Sequence, residues 1–383
     1  MAREVSLQRS ISIRWMCFKA LLFAGLFSIV LIKSAFSQVT PAAGFTPPDD
    51  TPSIRVGITL YLNYTFVEKP KITDANGNTV PFNAFDVTRA YLNFTGQISH
   101  LIAFRVTPDV TRAASAGASI NNNLVYRIKY AYGQFNLDDW TGKWKQTWVR
   151  IGANQTPFVD WEEGVYRYRF QGTVFTERVG RLTSSDFGMS FHTNIPNNYG
   201  EIHTGIYNGE GYTQSEVNNQ KAWQTRITVR PLPSSNSGSL RGIRLTAFYD
   251  WDHYVRDNAR ERLVFQALFE HPKLVAGFDY MDAKDQTSNA APELKGRGYS
   301  AWATPIFKEK GNGPELLLRY DHYVPNRAVP DAKQDLGIVG FAYWFPHVGN
   351  VATSLLLDAE IVKFPGTSLP TQRRYALHGY LNY

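Results

Sequence analysis

The sequence predicts an all-β protein, a 16-stranded antiparallel up-and-down β-barrel that spans a membrane. Three observations carry that prediction: long runs of strict polar/apolar alternation, their recurrence to the C-terminus, and connections that alternate between short and long. Ile54, Val56, Ile58, Leu60, Leu62, Tyr64 and Phe66 fall on one face of an extended segment, with Arg55, Gly57, Thr59, Tyr61, Asn63 and Thr65 on the other. Period two over such a length is a strand signal. Ordinary strands run to ~5–6 residues, whereas a tilted membrane-spanning strand needs ~9–11.

The same design recurs at 85–98, 102–111, 123–137, 144–154, 185–193, 200–208, 220–230, 241–251, 261–271, 273–281, 297–307, 315–324, 335–345, 349–364 and 373–383. With the first segment these make sixteen. Trp223, Thr225, Ile227 and Val229 oppose Gln224, Arg226, Thr228 and Arg230, and Ile243, Leu245, Ala247 and Tyr249 oppose Arg244, Thr246, Phe248 and Asp250. In 123–137 the phase switches between Ile128 and Gly133, which calls for a bulge or a different segment boundary. Short connections (Ser99 to Leu101, Asn194 to Tyr199, His271-Pro272, Pro346 to Val348) separate long ones (67–84, 155–184, 209–219, 282–296, 365–372). That is the rhythm of an outer-membrane barrel, with brief periplasmic turns, longer external loops, an apolar face toward lipid and a polar face toward the lumen. Trp140, Trp144, Trp223, Trp251, Trp344 and Tyr249 sit near strand ends, where interfacial girdles form. The chain closes on Tyr375, Leu377, Gly379, Leu381 and Tyr383, an alternation that resembles the terminal signal of outer-membrane barrels.

Ahead of the barrel, residues 1–37 read as an export signal. Arg3, Arg9, Arg14 and Lys19 precede an apolar run from Ala20 to Ile32, and Ser34-Ala35-Phe36-Ser37 offers small residues for cleavage after Ser37. The run is shorter than the ~20 residues a spanning helix needs. Residues 38–52, rich in Pro, Ala and Thr, form a flexible lead-in, and 53–383 the barrel. The leader holds five of the 40 basic residues and one of the 33 acidic ones, so the remainder carries only +3. Nucleic acid is excluded as a partner, because phosphate binding needs a concentrated basic surface. The single cysteine, Cys17, lies in the leader, which removes disulfides and thiol chemistry.

No catalytic set and no cofactor site emerge. The eight His are scattered, without HExxH or His-x-x-x-His spacing, and no phosphate-cradling P-loop occurs. Asp250, Asp252 and His253 read as a loop cluster, Glu162-Glu163 point to opposite faces, and DANGN at 74–78 is a turn because position 85 is Phe85 where a calcium loop needs an acid. Alternation directs Arg89, Arg105, Arg150, Arg226, Arg230, Arg244 and Arg319 to the lumen with Asp109, Glu201, Asp321, Asp358 and Glu360. Arginine suits an anion path, since it stays charged and offers a planar donor fork. Most of these Arg come from the first half of the chain and most of the acids from the second, which suggests a basic wall facing an acidic one.

The middle of the chain resembles the phosphate-selective porin family (porin O and P type). The likeness is carried by VRIGANQTPF at 149–158, FTER at 175–178 followed by Asp186-Phe187-Gly188, GIYNGEGY at 205–212, Lys221, and RITVRPLP at 226–233. It continues through LLLRYDHYVPN at 316–326, Gly337 to Phe345 and AEIVKF at 359–364. The resemblance implies a sixteen-stranded homotrimeric channel in outer-membrane lipid, passing phosphate and other small anions or hydrophilic solutes, with a third external loop folded into the lumen. Here that loop is 155–184. Its Val159, Trp161, Val165, Phe170, Val174 and Phe175 are poorly suited to free solvent. Its Arg167, Arg169, Arg178 and Arg181 balance Asp160, Glu162, Glu163 and Glu177, so the strongly basic pathway of phosphate-uptake members is not reproduced. The anion-path candidates are therefore Arg89, Arg105, Arg150, Arg167, Arg169, Arg178, Arg226 and Arg319, with Asp109, Asp321, Asp358 and Glu360 as the lumen acids. Two other classes compete: a barrel enzyme of lipase or protease type, which needs a nucleophile set at the rim, and a secreted soluble β-protein that binds carbohydrate through its aromatics.

Overall fold

In the computed structural model, residues 50–113 and 122–383 are described. The expected leader and most of the lead-in lie outside them. Sixteen strands follow in order: β1 (Ser53–Thr73), β2 (Thr79–Gln97), β3 (Ile102–Arg112), β4 (Leu124–Asn136), β5 (Lys145–Gln155), β6 (Ser185–Ile195), β7 (Gly200–Tyr207) and β8 (Ala222–Val229). They continue as β9 (Ile243–Val255), β10 (Asn258–His271), β11 (Leu274–Asp285), β12 (Leu294–Pro305), β13 (Gly313–Val324), β14 (Gln334–Trp344), β15 (Ala352–Lys363) and β16 (Gln372–Asn382). Each pairs antiparallel with its sequence neighbours, and β1 pairs with β16 to close the barrel. Closure leaves no unpaired edge in the wall, which is what allows strands to sit in hydrocarbon. Ile58 and Tyr383 exchange both backbone hydrogen bonds at 2.9 Å, and Thr59 Oγ1 donates to Asn382 Oδ1 at 2.7 Å.

The outward positions form an apolar belt. Ile54, Val56, Phe265, Val339, Phe341 and Leu357 are all exposed, and Trp140, Trp144, Trp223 and Trp251 lie at or near strand ends on this surface, whereas Tyr249, expected there too, is exposed at the middle of β9 because that strand runs on to Val255. Such a belt on a closed sheet belongs against lipid. Among the described residues no helix is long and apolar enough to cross a membrane, so the strands do the crossing. Trp344 departs from the expected girdle: it points inward and is buried.

Three local expectations change. The connection 67–84 is not a loop, because β1 and β2 run on as one hairpin around a turn at 74–78. There Asp74 Oδ1 accepts the N–H groups of Asn76 and Asn78 at 2.9 and 2.8 Å, and Gly77 supplies the positive φ of 84°. The short/long rhythm is also uneven: β9 and β10 are joined by Arg256-Asp257 alone, while β8 and β9, on the end with brief turns, are separated by residues 230–242. Asp250, Asp252 and His253 belong to β9 and not to a loop.

The phase switch in the fourth segment is a bulge at Lys129. Thr107 faces Tyr130 and Pro108 faces Ile128, so Lys129 is the extra residue. Pro108 has no N–H for the ladder, and a bulge opposite it leaves no partner waiting for that bond. As a consequence Lys129 and Tyr130, adjacent in sequence, both face the interior.

The interior differs most from expectation. Over β10–β15 the inward face mixes buried polar groups with an apolar set: Val264, Leu268, Val275, Met281, Leu317, Leu336, Ile338 and Leu356 are at most 3% exposed. They join Phe158, Val159, Val165, Tyr166, Phe170, Val174 and Phe175 of segment 156–184 in one hydrophobic cluster. That segment contains helix α1 (Val159–Tyr166) and the short helix α2 (Phe175–Arg178). Half of the lumen thus resembles the core of a globular protein, because the segment between β5 and β6 covers it.

Candidate functional site

The interior segment is tied down along its length. At its neck Thr156 N–H donates to Ser184 C=O at 3.3 Å, which brings its two ends together. Arg226 Nε donates to Pro157 C=O at 2.7 Å, with the Arg226 guanidinium 4.6 Å from the Trp161 ring centroid. Trp161 Nε1 donates to Gln266 Oε1 at 3.0 Å. Helix α1 ends at Arg167, whose left-handed φ of 63° turns the chain. Arg167 Nη2 then reaches Glu315 Oε2 at 2.6 Å, and the Tyr168 hydroxyl donates to the same oxygen at 2.7 Å. Farther along, Arg319 Nη1 donates to Thr173 C=O at 2.8 Å, Gln171 Nε2 to Asp358 Oδ2 at 2.7 Å, and Arg178 Nη2 to Glu360 Oε1 at 2.6 Å. The Phe175 ring lies so close to the β12 backbone that a Cβ on Gly298 would stand 2.7 Å from its Cζ.

Open space remains on the other side, between the segment and the wall of β1–β4 and β16. Two cavities meet there, both lined by Tyr61 and Arg169. One, about 470 Å³, opens toward the end where β1 starts and β16 finishes and is lined by Arg105, Lys129, Asp160, Glu163, Lys310 and Trp344 among others. The second, about 360 Å³, faces the opposite end and is lined by Asp86, Arg89, Arg112, Arg178 and Arg374 among others. Arg169 therefore stands at the junction, held by Glu163 and, at 3.5 Å, by Glu177.

The predicted site residues separate into two groups. Arg89, Arg105, Arg167, Arg169 and Arg178 border the open cavities. Arg150, Arg226 and Arg319 do not, although alternation directs them inward correctly. Arg150 stacks on Trp148 at 3.8 Å and donates to Gln134 and Gln155. Arg226 is fully buried beneath the neck, and Arg319 grips Asp321 with two bonds of 2.8 and 2.6 Å while holding Thr173. The acids are likewise engaged. Asp109 pairs with Arg89 and Arg127, Asp321 with Arg319 and Ser300, Asp358 with Gln171 and His378, and Glu360 with Arg178 and Arg374. A bare acidic wall facing a bare basic one is therefore replaced by an acidic wall bound to the arginines of the interposed segment.

Sequence reasoning missed Lys129 and Glu315. Lys129 Nζ lies 5.0 Å from the Tyr91 ring centroid and 5.3 Å from that of Tyr130, and no ion pair engages it among the described residues. Arg105, stacked over Tyr130 at 4.6 Å, bonds among the described residues the neutral groups Thr107 and Asn93. The available signal for Lys129 was the phase switch itself, since only a bulge directs that side chain inward. Across the cavity, burial pushes the Asp160 carboxyl up to about 7. Glu163 adds to that shift, and Arg105, Arg150 and Lys129 oppose it.

No protein-family model and no curated protein matches the sequence. Solved structures do share the fold. The anion-selective porin from Comamonas acidovorans aligns with a TM-score of 0.56 at 11% identity, over 87% of this chain and 99% of its own. The outer-membrane channel DcaP of Acinetobacter baumannii aligns at 0.56 and 12%, over 89% and 100%. The trimer form of OmpT, an outer membrane protein of Vibrio cholerae, aligns at 0.54 and 9%, over 87% and 100%. The architecture is thus that of bacterial outer-membrane porins, and the soluble β-protein class gives way to it.

Proposed function

We propose that the protein is a diffusion channel of the bacterial outer membrane that passes small hydrophilic solutes with a moderate preference for anions, phosphate among them. One observation carries the preference: the acids of β13 and β15 are consumed in holding the interior segment, while Arg105 and Lys129 face the remaining space with no ion pair among the described residues. A passage favours ions opposite in charge to its lining, and low-dielectric walls focus the field. On this reading residues 156–184 are the constriction, Arg89, Arg105, Lys129 and Arg169 form the anion path, and Arg150, Arg226 and Arg319 hold its frame. The end where β1 starts and β16 finishes is periplasmic on this reading. Zero-current potentials in a KCl gradient across a planar bilayer test the proposal. An anion-selective sign is expected, and a cation-selective channel would overturn it.

Asp160 adds a pH dependence. A carboxyl that titrates near 7 is charged above that pH and neutral below it, so acidification removes a negative charge facing Arg105 and Lys129. Anion selectivity should rise as pH falls from 8 to 6, and Asp160→Asn should show the low-pH selectivity throughout. Equal pH dependence in wild type and variant would assign the effect to another group.

The assembly is proposed to be a homotrimer, supported by the family resemblance and by the trimeric OmpT neighbour. Unheated detergent electrophoresis should show a compact oligomer that collapses to a monomer band on boiling. A monomer mass in native spectrometry would remove the trimer and leave the barrel.

A further inference from the structure

The cavity on the periplasmic side of the junction is larger and more apolar than an inorganic anion requires. Its wall is a continuous series of rings on the inward faces of β2, β1, β16 and β14. Tyr91 meets Tyr61 edge-on at 5.7 Å between centroids, Tyr61 meets Tyr380 at 6.0 Å, and Tyr380 meets Trp344 at 5.6 Å. Phe170 of the interior segment stacks on Tyr380 at 5.1 Å and fixes the middle of the series. At one end the bulge places Lys129 beside Tyr91 and Tyr130, and Arg105 lies over Tyr130, neither in an ion pair among the described residues; the cations at the Trp344 end, Arg167 and Lys310, are paired with Glu315 and Glu270. A space of about 470 Å³ with an aromatic wall and a localised polar anchor has the size and composition of a small-molecule site. Phosphate or chloride would engage the anchor and leave the rings facing water. Asp160 and Glu163 on the opposite side further favour a single negative charge over a dianion.

We propose that this cavity binds small aromatic monocarboxylates, with the carboxylate at Lys129 and Arg105 and the ring lying along Tyr61, Tyr380 and Trp344. The carboxylate accepts hydrogen bonds from the ammonium and guanidinium groups. The ring gains apolar and edge-to-face contacts that acetate lacks. A neutral sugar meets the rings but leaves the ammonium without a counter-charge. The inference deepens the channel reading and rests on solutes entering this lumen.

Single channels in a planar bilayer, titrated in turn with sodium benzoate, acetate, inorganic phosphate and maltose, test it. Benzoate should interrupt the current with an apparent affinity at least tenfold higher than acetate, phosphate or maltose. Lys129→Gln should weaken the benzoate block about tenfold. Trp344→Leu should weaken it while leaving the acetate response unchanged. Because Trp344 also donates to Tyr168 in the interior segment, the wild-type series decides the matter independently of any variant. Acetate or phosphate blocking as well as benzoate would overturn the proposal in favour of a plain oxyanion site, and maltose blocking as well as benzoate would overturn it in favour of a neutral-ring site. The zero-current potential of the same channels separates the two claims: a cation-selective sign removes the anion preference, whereas the benzoate-to-acetate ratio alone decides the site.

Discussion

Replacing residues 159–182 by a short linker is expected to raise single-channel conductance several-fold and, in the same protein, to lower the temperature at which the barrel unfolds in detergent. The first effect follows from position: the segment occupies the lumen up to Tyr61 and Arg169 and leaves beside it cavities of about 470 and 360 Å³ on the β1–β4 side and one of about 360 Å³ beside Trp161 and Arg244. The second follows from what it covers. Val264, Leu268, Met281, Leu317, Leu336 and Leu356 would face lumen water, and each such side chain gains about 1.5–3 kcal/mol from burial. Glu315 and Glu360 would also lose Arg167 and Arg178, leaving carboxylates in a space shaped for ion pairs. Bilayer conductance and the heat-modification midpoint measure the two effects separately. Unchanged conductance would place the segment off the solute path. An unchanged midpoint would mean that the apolar wall draws its stability from within the sheet.

Neutralising Arg105 and Lys129 together to Gln should shift the zero-current potential toward cations. One charge at ~4 Å contributes about 1 kcal/mol even at the dielectric of water, roughly a fivefold change in local ion occupancy per charge removed. The shift should shrink in 1 M salt, where the screening length falls to ~3 Å. Arg226→Gln is the instructive contrast. Its guanidinium is buried against Pro157 and Trp161, so the substitution should loosen the neck and make the current noisier without a comparable change in selectivity. If Arg226→Gln moves the potential as far as the double variant, the path runs behind the interior segment and not in front of it.

These two predictions rest on different layers of information. The strands were legible in the sequence because their period is short and local. A residue two positions along a strand shares its face, so Ile54 to Phe66 announced a lipid-facing stripe without reference to any other part of the chain. Strand number, the inward direction of Arg89, Arg105, Arg150, Arg226 and Arg319 and the phase switch near Lys129 followed from the same reading of phase.

What the sequence could not decide is which inward groups remain available. Arg319 and Arg105 look alike in a pattern of alternation, yet one is closed on Asp321 and Thr173 and the other faces open space. That distinction depends on where the segment between β5 and β6 lies in the lumen, and its docking is set by contacts more than 100 residues away in sequence, such as Arg167 with Glu315 and Arg178 with Glu360. The apolar inner face of β10–β15 was invisible for the same reason, since a barrel lumen is expected to be wet until something covers it. The sequence by itself determined the wall, through local periodicity. Which inward groups border open space, and which of them are paired, was decided only by the tertiary structure, because burial and pairing are properties of groups that meet across the barrel and not of neighbours along a strand.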